Sequence, residues 1–246
     1  MTWSRERGPR ALRLRRGLRV ARRILIHVAV ALSASVPAVA QSGGQASTSG
    51  PGRWELTGGG VLIGGYDLGE RSAELTPNTG SSSFDEFTTD NTVKPAFGLQ
   101  ARIGFVLTPA LTVEGGLRFA RPVYEVRISG DVENAPNTTA EETLSQYLFD
   151  GSVVWHITRA GFGNGRGVPF LFGGAGYLRE LHEDDAFVEE GLEYHAGGGI
   201  KWWFGQGRRR VGVRGEAGIS IRDGGFDFKD GQRIVPTAGG FLTYSF

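Results

Sequence analysis

Residues 97–119 read FGLQARIGFVLTPALTVEGGLRF, and their alternation decides the fold. Phe97, Leu99, Ala101, Ile103, Phe105 and Leu107 fall on one parity, and Gly98, Gln100, Arg102, Gly104 and Val106 on the other. Past the tight Thr108-Pro109-Ala110 the pattern resumes. Leu111, Val113, Gly115, Leu117 and Phe119 alternate with Thr112, Glu114, Gly116, Arg118 and Ala120. Successive side chains of a strand point to opposite faces, so each half is a strand with one apolar and one polar face.

The same period extends in both directions. Eight strands are expected, at 53–66, 94–107, 111–126, 144–157, 169–181, 191–204, 211–223 and 234–246. Glycine blurs the faces of the first and fifth. The connections 67–93, 127–143, 182–190 and 224–233 read as long-side polar loops, while 108–110 and 205–210 are short and 158–168 is intermediate and glycine-rich. Long loops at one end and short turns at the other is the asymmetry of outer-membrane barrels, with both chain ends on the periplasmic side.

Amphipathic strands need cover for their apolar faces, and no amphipathic helix is available here. A barrel with an apolar exterior solves this in lipid, because closure satisfies every backbone group. The strands exceed the roughly 9–11 residues that cross a bilayer. Aromatic residues near strand ends (Trp54, Tyr66, Tyr124, Trp155, Trp202, Phe204, Tyr244 and Phe246) are expected to form interfacial girdles. The opposite parity carries Arg102, Glu114, Arg118, Asp150, His195, Lys201, Arg214, Glu216 and Arg222. Eight strands leave a lumen just wide enough for side chains to fill it. These charges are expected to pair as a structural plug, with Glu114 and Glu216 as hubs. The expected fold is all-β: an eight-stranded antiparallel up-and-down transmembrane β-barrel over 53–246.

Residues 1–40 differ from the rest. They hold nine arginines and one acid, Glu6, and then a run from Ile24 that is mostly apolar and ends Ala38-Val39-Ala40. A basic segment, an apolar segment and a small-x-small site make a signal peptide, with cleavage expected after Ala40. Ser33, Ser35 and Pro37 weaken the rival reading as a membrane-spanning helix. Arg15-Arg16 and Arg22-Arg23 suggest twin-arginine export. That route carries folded cargo, so the general secretory route is favoured. Residues 41–52 (QSGGQASTSGPG) form a flexible lead. Removing the leader from 27 basic and 26 acidic residues leaves 18 and 25, a mature charge of about −7. The basic pI therefore belongs to the precursor, and no nucleic-acid partner is expected. The chain has no cysteine, hence no disulfide.

The last strand ends Gly240-Phe241-Leu242-Thr243-Tyr244-Ser245-Phe246, with Leu242, Tyr244 and Phe246 on one face. With the phrases at 107–116 and 194–201, it resembles the small outer-membrane β-barrels of the OmpA/OmpX type. The resemblance covers about 53–246. It implies a bacterial outer-membrane location, contact with outer-membrane lipid and lipopolysaccharide, and a terminal signal at Leu242, Tyr244 and Phe246 read by the barrel-assembly machinery during insertion. It brings no catalytic signature, cofactor or metal.

Rival motifs are weaker. Gly52-Arg53-Trp54 is similar to the Gly-x-Trp of lipocalins, which are soluble eight-stranded binders with an apolar interior and a C-terminal helix. His156, His182 and His195 raise the question of a lipid-modifying enzyme, but His195 has no serine partner legible from spacing. Gly161–Gly167 (GFGNGRG) lacks the Lys-Ser/Thr ending of a phosphate loop and reads as a turn. The acids at 183–185 and 223–231 could hold cations in outer loops, but their spacing fits no EF-hand. The leading function is a non-enzymatic envelope, adhesion or surface-binding role through the long loops. A narrow pore is the alternative. No extracellular ligand is legible.

Overall fold

The computed structural model describes residues 50–75, 84–132, 135–182, 188–204, 209–224 and 232–246; the leader and most of the lead lie outside them. Twelve strands follow in chain order: β1 Trp54–Ile63, β2 Tyr66–Leu75, β3 Phe84–Val93, β4 Ala96–Thr108, β5 Leu111–Ala120, β6 Val123–Ser129, β7 Thr138–Thr143, β8 Ser145–His156, β9 Gly167–Leu181, β10 Val188–Phe204, β11 Arg210–Gly224 and β12 Arg233–Ser245. Eight close into an antiparallel barrel in the order β1-β12-β11-β10-β9-β8-β5-β4, with β4 returning to β1.

The other four correct the sequence reading. Residues 67–93 and 127–143, expected as polar loops, supply most of a second sheet in the order β2-β3-β6-β7. The breaks between the sheets are written in the chain. Gly64-Gly65 separates β1 from β2, Lys94-Pro95 separates β3 from β4, and Arg121-Pro122 separates β5 from β6. Proline cannot donate to a ladder, so pairing stops there and restarts beyond it. The segments are polar but threonine-rich, and their backbone groups pair with one another: Asn91↔Val126, Val126↔Ala140 and Tyr66↔Val93 are in register.

The parity of the barrel strands is as the alternation demands. Leu117 is 44% exposed and Ile200 48%, whereas Arg102, Arg118 and Lys201 are buried. The outer wall is a band of Leu, Ile, Val and Phe around a polar, charged interior, the reverse of a soluble protein. This is the arrangement of a transmembrane barrel. Trp54, Trp155, Phe204, Tyr244 and Phe246 face outward at the turn end. Tyr66 and Tyr124 do not join a girdle. They are buried with Val61, Ile63, Leu68, Val93, Leu144, Val235 and Phe241 in an apolar cluster at the loop-end mouth. Each sits just past a strand break, where the second sheet begins, so its ring turns into the mouth. Phe97, Tyr147 and Tyr177 are outward aromatics nearer the loop end.

The β8–β9 link forms a short 3-10 turn at Thr158–Ala160 and a Phe162↔Gly167 bridge. Its tip, Gly163-Asn164-Gly165, has φ of 61°, 57° and 78°. Left-handed backbone of this kind suits Gly and Asn. Phe162 packs on Trp202, an outward residue, at 5.6 Å between ring centroids. A side chain at Gly163 would overlap the same indole.

Candidate functional site

The lumen gathers the charged residues that the alternation points inward. At the turn end Lys201 of β10 donates to Glu55 of β1 across the barrel at 2.6 Å. Lys201 and Arg210 both lie over the Trp203 ring, at 5.5 and 4.9 Å. Higher up, Arg214 of β11 donates to both Glu114 oxygens across the barrel at 2.7 and 2.9 Å, and its Nε donates to Glu216 at 2.8 Å. Glu216 also takes Arg102 of β4 through two guanidinium nitrogens, at 2.8 and 2.9 Å. Paired contacts of this kind are the strong form of charge-assisted hydrogen bond. Phe170 lies under Arg214 and Phe241 under Arg102, at 4.6 and 5.4 Å.

Toward the loop end, Glu193 of β10 accepts from Arg118 of β5 at 2.7 Å, from Arg222 at 3.0 Å and from Ser220 at 2.9 Å. Arg222 reaches on to the Tyr66 hydroxyl at 3.0 Å, and Gln146 donates to Glu180 at 2.6 Å. The ion pairs Lys201–Glu55, Arg214–Glu114, Arg102–Glu216 and Arg118–Glu193 run between the β4–β5 wall or β1 on one side and β10–β11 on the other.

Arg102, Glu114, Arg118, Lys201, Arg214 and Glu216 all stand in this network. Glu216 holds two arginines, Arg102 and Arg214, whereas Glu114 holds Arg214 alone. The other hub, Glu193, was missed although it shares parity with His195 two residues on. Glu55 was missed because the glycines of β1 hid its polar face. Glu180 was missed because it falls at the end of β9, whose faces glycine also blurs.

Asp150 and His195 come together with Ser152. Ser152 and His195 are both in register with Gly174 of β9, one from each side. Gly174 has no side chain, so theirs meet over it: Ser152 Oγ lies 2.9 Å from His195 Nε2. A Cβ at 174 would strike both groups. The serine partner of His195 that spacing left illegible is therefore Ser152. Asp150 Oδ2 lies 3.7 Å from that same Nε2, and His195 Nδ1 has no hydrogen-bond partner. In a nucleophilic triad the acid orients the histidine through the nitrogen opposite the serine. Here acid and serine share one nitrogen, so the serine is not activated in that way.

His156 contacts Thr112 at 3.2 Å, and His182 contacts Glu142 at 2.8 Å. Among the described residues no three His, Asp or Glu side chains gather as a metal site. The acids at 183–185 and 225–231 lie outside the described residues. Leu242, Tyr244 and Phe246 share the outward face of the last strand, and the Phe246 amide donates to the Trp54 carbonyl at 3.0 Å.

Beyond the barrel, Lys94 bridges Glu125 and Glu141, each at 2.6 Å, at the base of the second sheet. Hydrogen bonds to those acids raise the Lys94 ammonium above its usual range, and Lys94 in turn lowers Glu141. The Tyr124 hydroxyl donates to Asn91 at 2.7 Å. Burial first, then Glu142 and Glu189, pushes it up to about 12.

No family model and no curated protein sequence matches the chain. Solved structures are similar in fold. The outer membrane protein OprG of Pseudomonas aeruginosa overlaps 81% of this chain and 98% of its own, at 11% identity and a TM-score of 0.47. Ail, the attachment invasion locus protein of Yersinia pestis, overlaps 80% and 99%, at 11% identity and 0.39. The outer membrane protein AlkL, solved in lipid bilayers, overlaps 86% and 95%, at 13% identity and 0.33.

Proposed function

We propose that the chain is a closed, non-enzymatic β-barrel protein of the bacterial outer membrane that acts through its loop end, in envelope structure, adhesion or surface binding. The observation that carries this is the set of ion pairs spanning the lumen, from Lys201–Glu55 up to Arg118–Glu193. A conducting path needs water along the axis, and here the axis is occupied by paired side chains. Above it Tyr66, Val93 and Tyr124 of the apolar cluster stand at the mouth. The second sheet stands beyond the barrel strands and supplies the surface for binding. Outer-membrane lipid and lipopolysaccharide meet the apolar wall. The assembly machinery reads Leu242, Tyr244 and Phe246 on the last strand.

Planar-bilayer recording of the purified protein tests the closed lumen. The expected trace shows no steady conductance. Large, stable openings would replace this reading with the narrow pore.

The Ser152–His195 contact favours a second reading, a lipid-modifying enzyme. Expression in a bacterium followed by mass analysis of its lipid A tests it. An unchanged lipid A profile is expected; a shift lost in Ser152→Ala would make the enzyme reading first.

A further inference from the structure

The turn end is basic in a way the lumen network does not absorb. None of the connections 50–53, 108–110, 157–167 and 205–210 carries an acidic side chain. Arg159, Arg166 and Arg209 are exposed there, and Arg53 is half-buried. Among the described residues these four have no ion-pair partner. Arg159 follows β8, Arg166 lies beside β10 through the Trp203 amide bond to its carbonyl, Arg209 precedes β11 and Arg53 precedes β1. They span an arc of the rim, and only the uncharged Thr108-Pro109-Ala110 side is bare. The opposite end is acidic, with Glu70, Asp90, Glu125, Glu141 and Glu190 on or beside the second sheet.

The height of the arc selects the partner. Trp54, Trp155 and Phe204 face outward at this same rim, the level of a membrane–water interface. The β8–β9 turn is held there by Phe162 on Trp202, and Trp202 belongs to the lipid-facing parity. Its arginines are therefore carried on the outer wall. Long arginine stems can run along apolar surface and place their charge among headgroups. We infer that Arg53, Arg159, Arg166 and Arg209 form a collar that binds anionic phospholipid headgroups of the leaflet at the turn end. This rests on the membrane reading above. The chemistry is guanidinium to phosphate, which arginine matches with two parallel hydrogen bonds.

The test expresses the full sequence, purifies the protein from membranes and reconstitutes it in phosphatidylcholine vesicles containing phosphatidylglycerol. Either lipid is brominated near its headgroup, and quenching of tryptophan emission reports which one contacts Trp54, Trp155 and Trp202. Each basic residue near an anionic surface strengthens attraction about fivefold. At low salt the phosphatidylglycerol should be enriched about fivefold or more over its bulk fraction. In Arg159→Gln/Arg166→Gln/Arg209→Gln, which keeps Arg53, the enrichment should fall at least about twofold from the wild-type value, with the unboiled gel mobility of the folded barrel retained. Equal quenching by both lipids in the wild type would overturn the collar. So would enrichment that persists in the triple variant. If purified cell-wall sacculi bind the wild type but not the variant while lipid enrichment is absent, the partner is the wall and the lipid assignment falls. Failure to insert into either vesicle would sink the membrane reading and the collar together.

Discussion

At the scale of single residues, burial gives the lumen pairs their weight. Glu193 is fully buried and holds two guanidinium groups, from Arg118 and Arg222. Removing one partner of such a group leaves a charge with neither water nor a counter-ion, a loss of about 3–5 kcal/mol. Glu193→Gln should therefore unfold at markedly lower urea in lipid vesicles than the wild type. Lys94→Ala breaks a comparable pair in the open and should hardly move the midpoint, because water already screens it. A midpoint for Glu193→Gln equal to that of the wild type would mean that water reaches the lumen. The adjacent pair Leu117 and Arg118 tests the two faces. Arginine on the lipid face near mid-bilayer costs roughly 2–4 kcal/mol. Arg118→Leu leaves Glu193 its bonds to Arg222 and Ser220. Leu117→Arg should give the smaller folded fraction on unboiled gels; the reverse order would contradict the register. The inward charges of β4 and β5 were legible because large apolar residues hold the opposite parity along both strands, so the few glycines there do not hide which face is which. Ser152 beside His195 was not, because that contact depends on strand order and on Gly174 between them, and parity carries neither.

At the scale of elements, what was hard to read was where a strand changes sheet. The barrel strands announce themselves by parity. The second sheet is built from segments whose composition is that of loops, and its pairing is long-range: β3 meets β6 across β4 and β5. Pro95 and Pro122 mark the changes, yet a proline beside a polar run reads equally well as the start of a loop. The second sheet has its own titration. Tyr124 is raised to about 12 by burial, with Glu142 and Glu189 adding to it. The unfolded chain releases its phenolic proton near 10. Between these values the unfolded state loses the proton that the folded state keeps, so stability present below pH 10 drains away as pH rises toward 12. Absorbance at 295 nm should show a tyrosine titrating near pH 12 that is absent from Tyr124→Phe. The variant should also lose less stability over that interval, while losing the hydrogen bond to Asn91 at neutral pH. A wild type whose tyrosines all titrate by pH 10.5 would show that the ring is open to water.

At the scale of the whole barrel, the ion pairs do more than fill space: they fasten opposite walls. Arg102 and Glu114 belong to β4 and β5, Arg214 and Glu216 to β11, and each bond between them crosses the lumen. The closed state should therefore depend on the pairing of charge and tolerate the loss of charge when both partners go. Glu216→Gln removes the acid from between Arg102 and Arg214 and leaves two cations facing each other with Glu114 alone between them. Their repulsion in a narrow, weakly screened space favours entry of water and anions. Glu216→Gln combined with Arg102→Met withdraws one cation as well, restores the local balance and puts an unbranched apolar chain beside Phe241. Replacing a buried pair by apolar groups of similar size is often neutral or stabilising, whereas removing one partner is not. Planar-bilayer recordings should then show a silent wild type, intermittent anion-selective openings in Glu216→Gln, and a return to silence in the double variant. If the double variant conducts as much as the single, bulk and not pairing closes the lumen. If both stay silent, the apolar cluster at the mouth is sufficient, and Tyr66→Ala becomes the variant that should open the path.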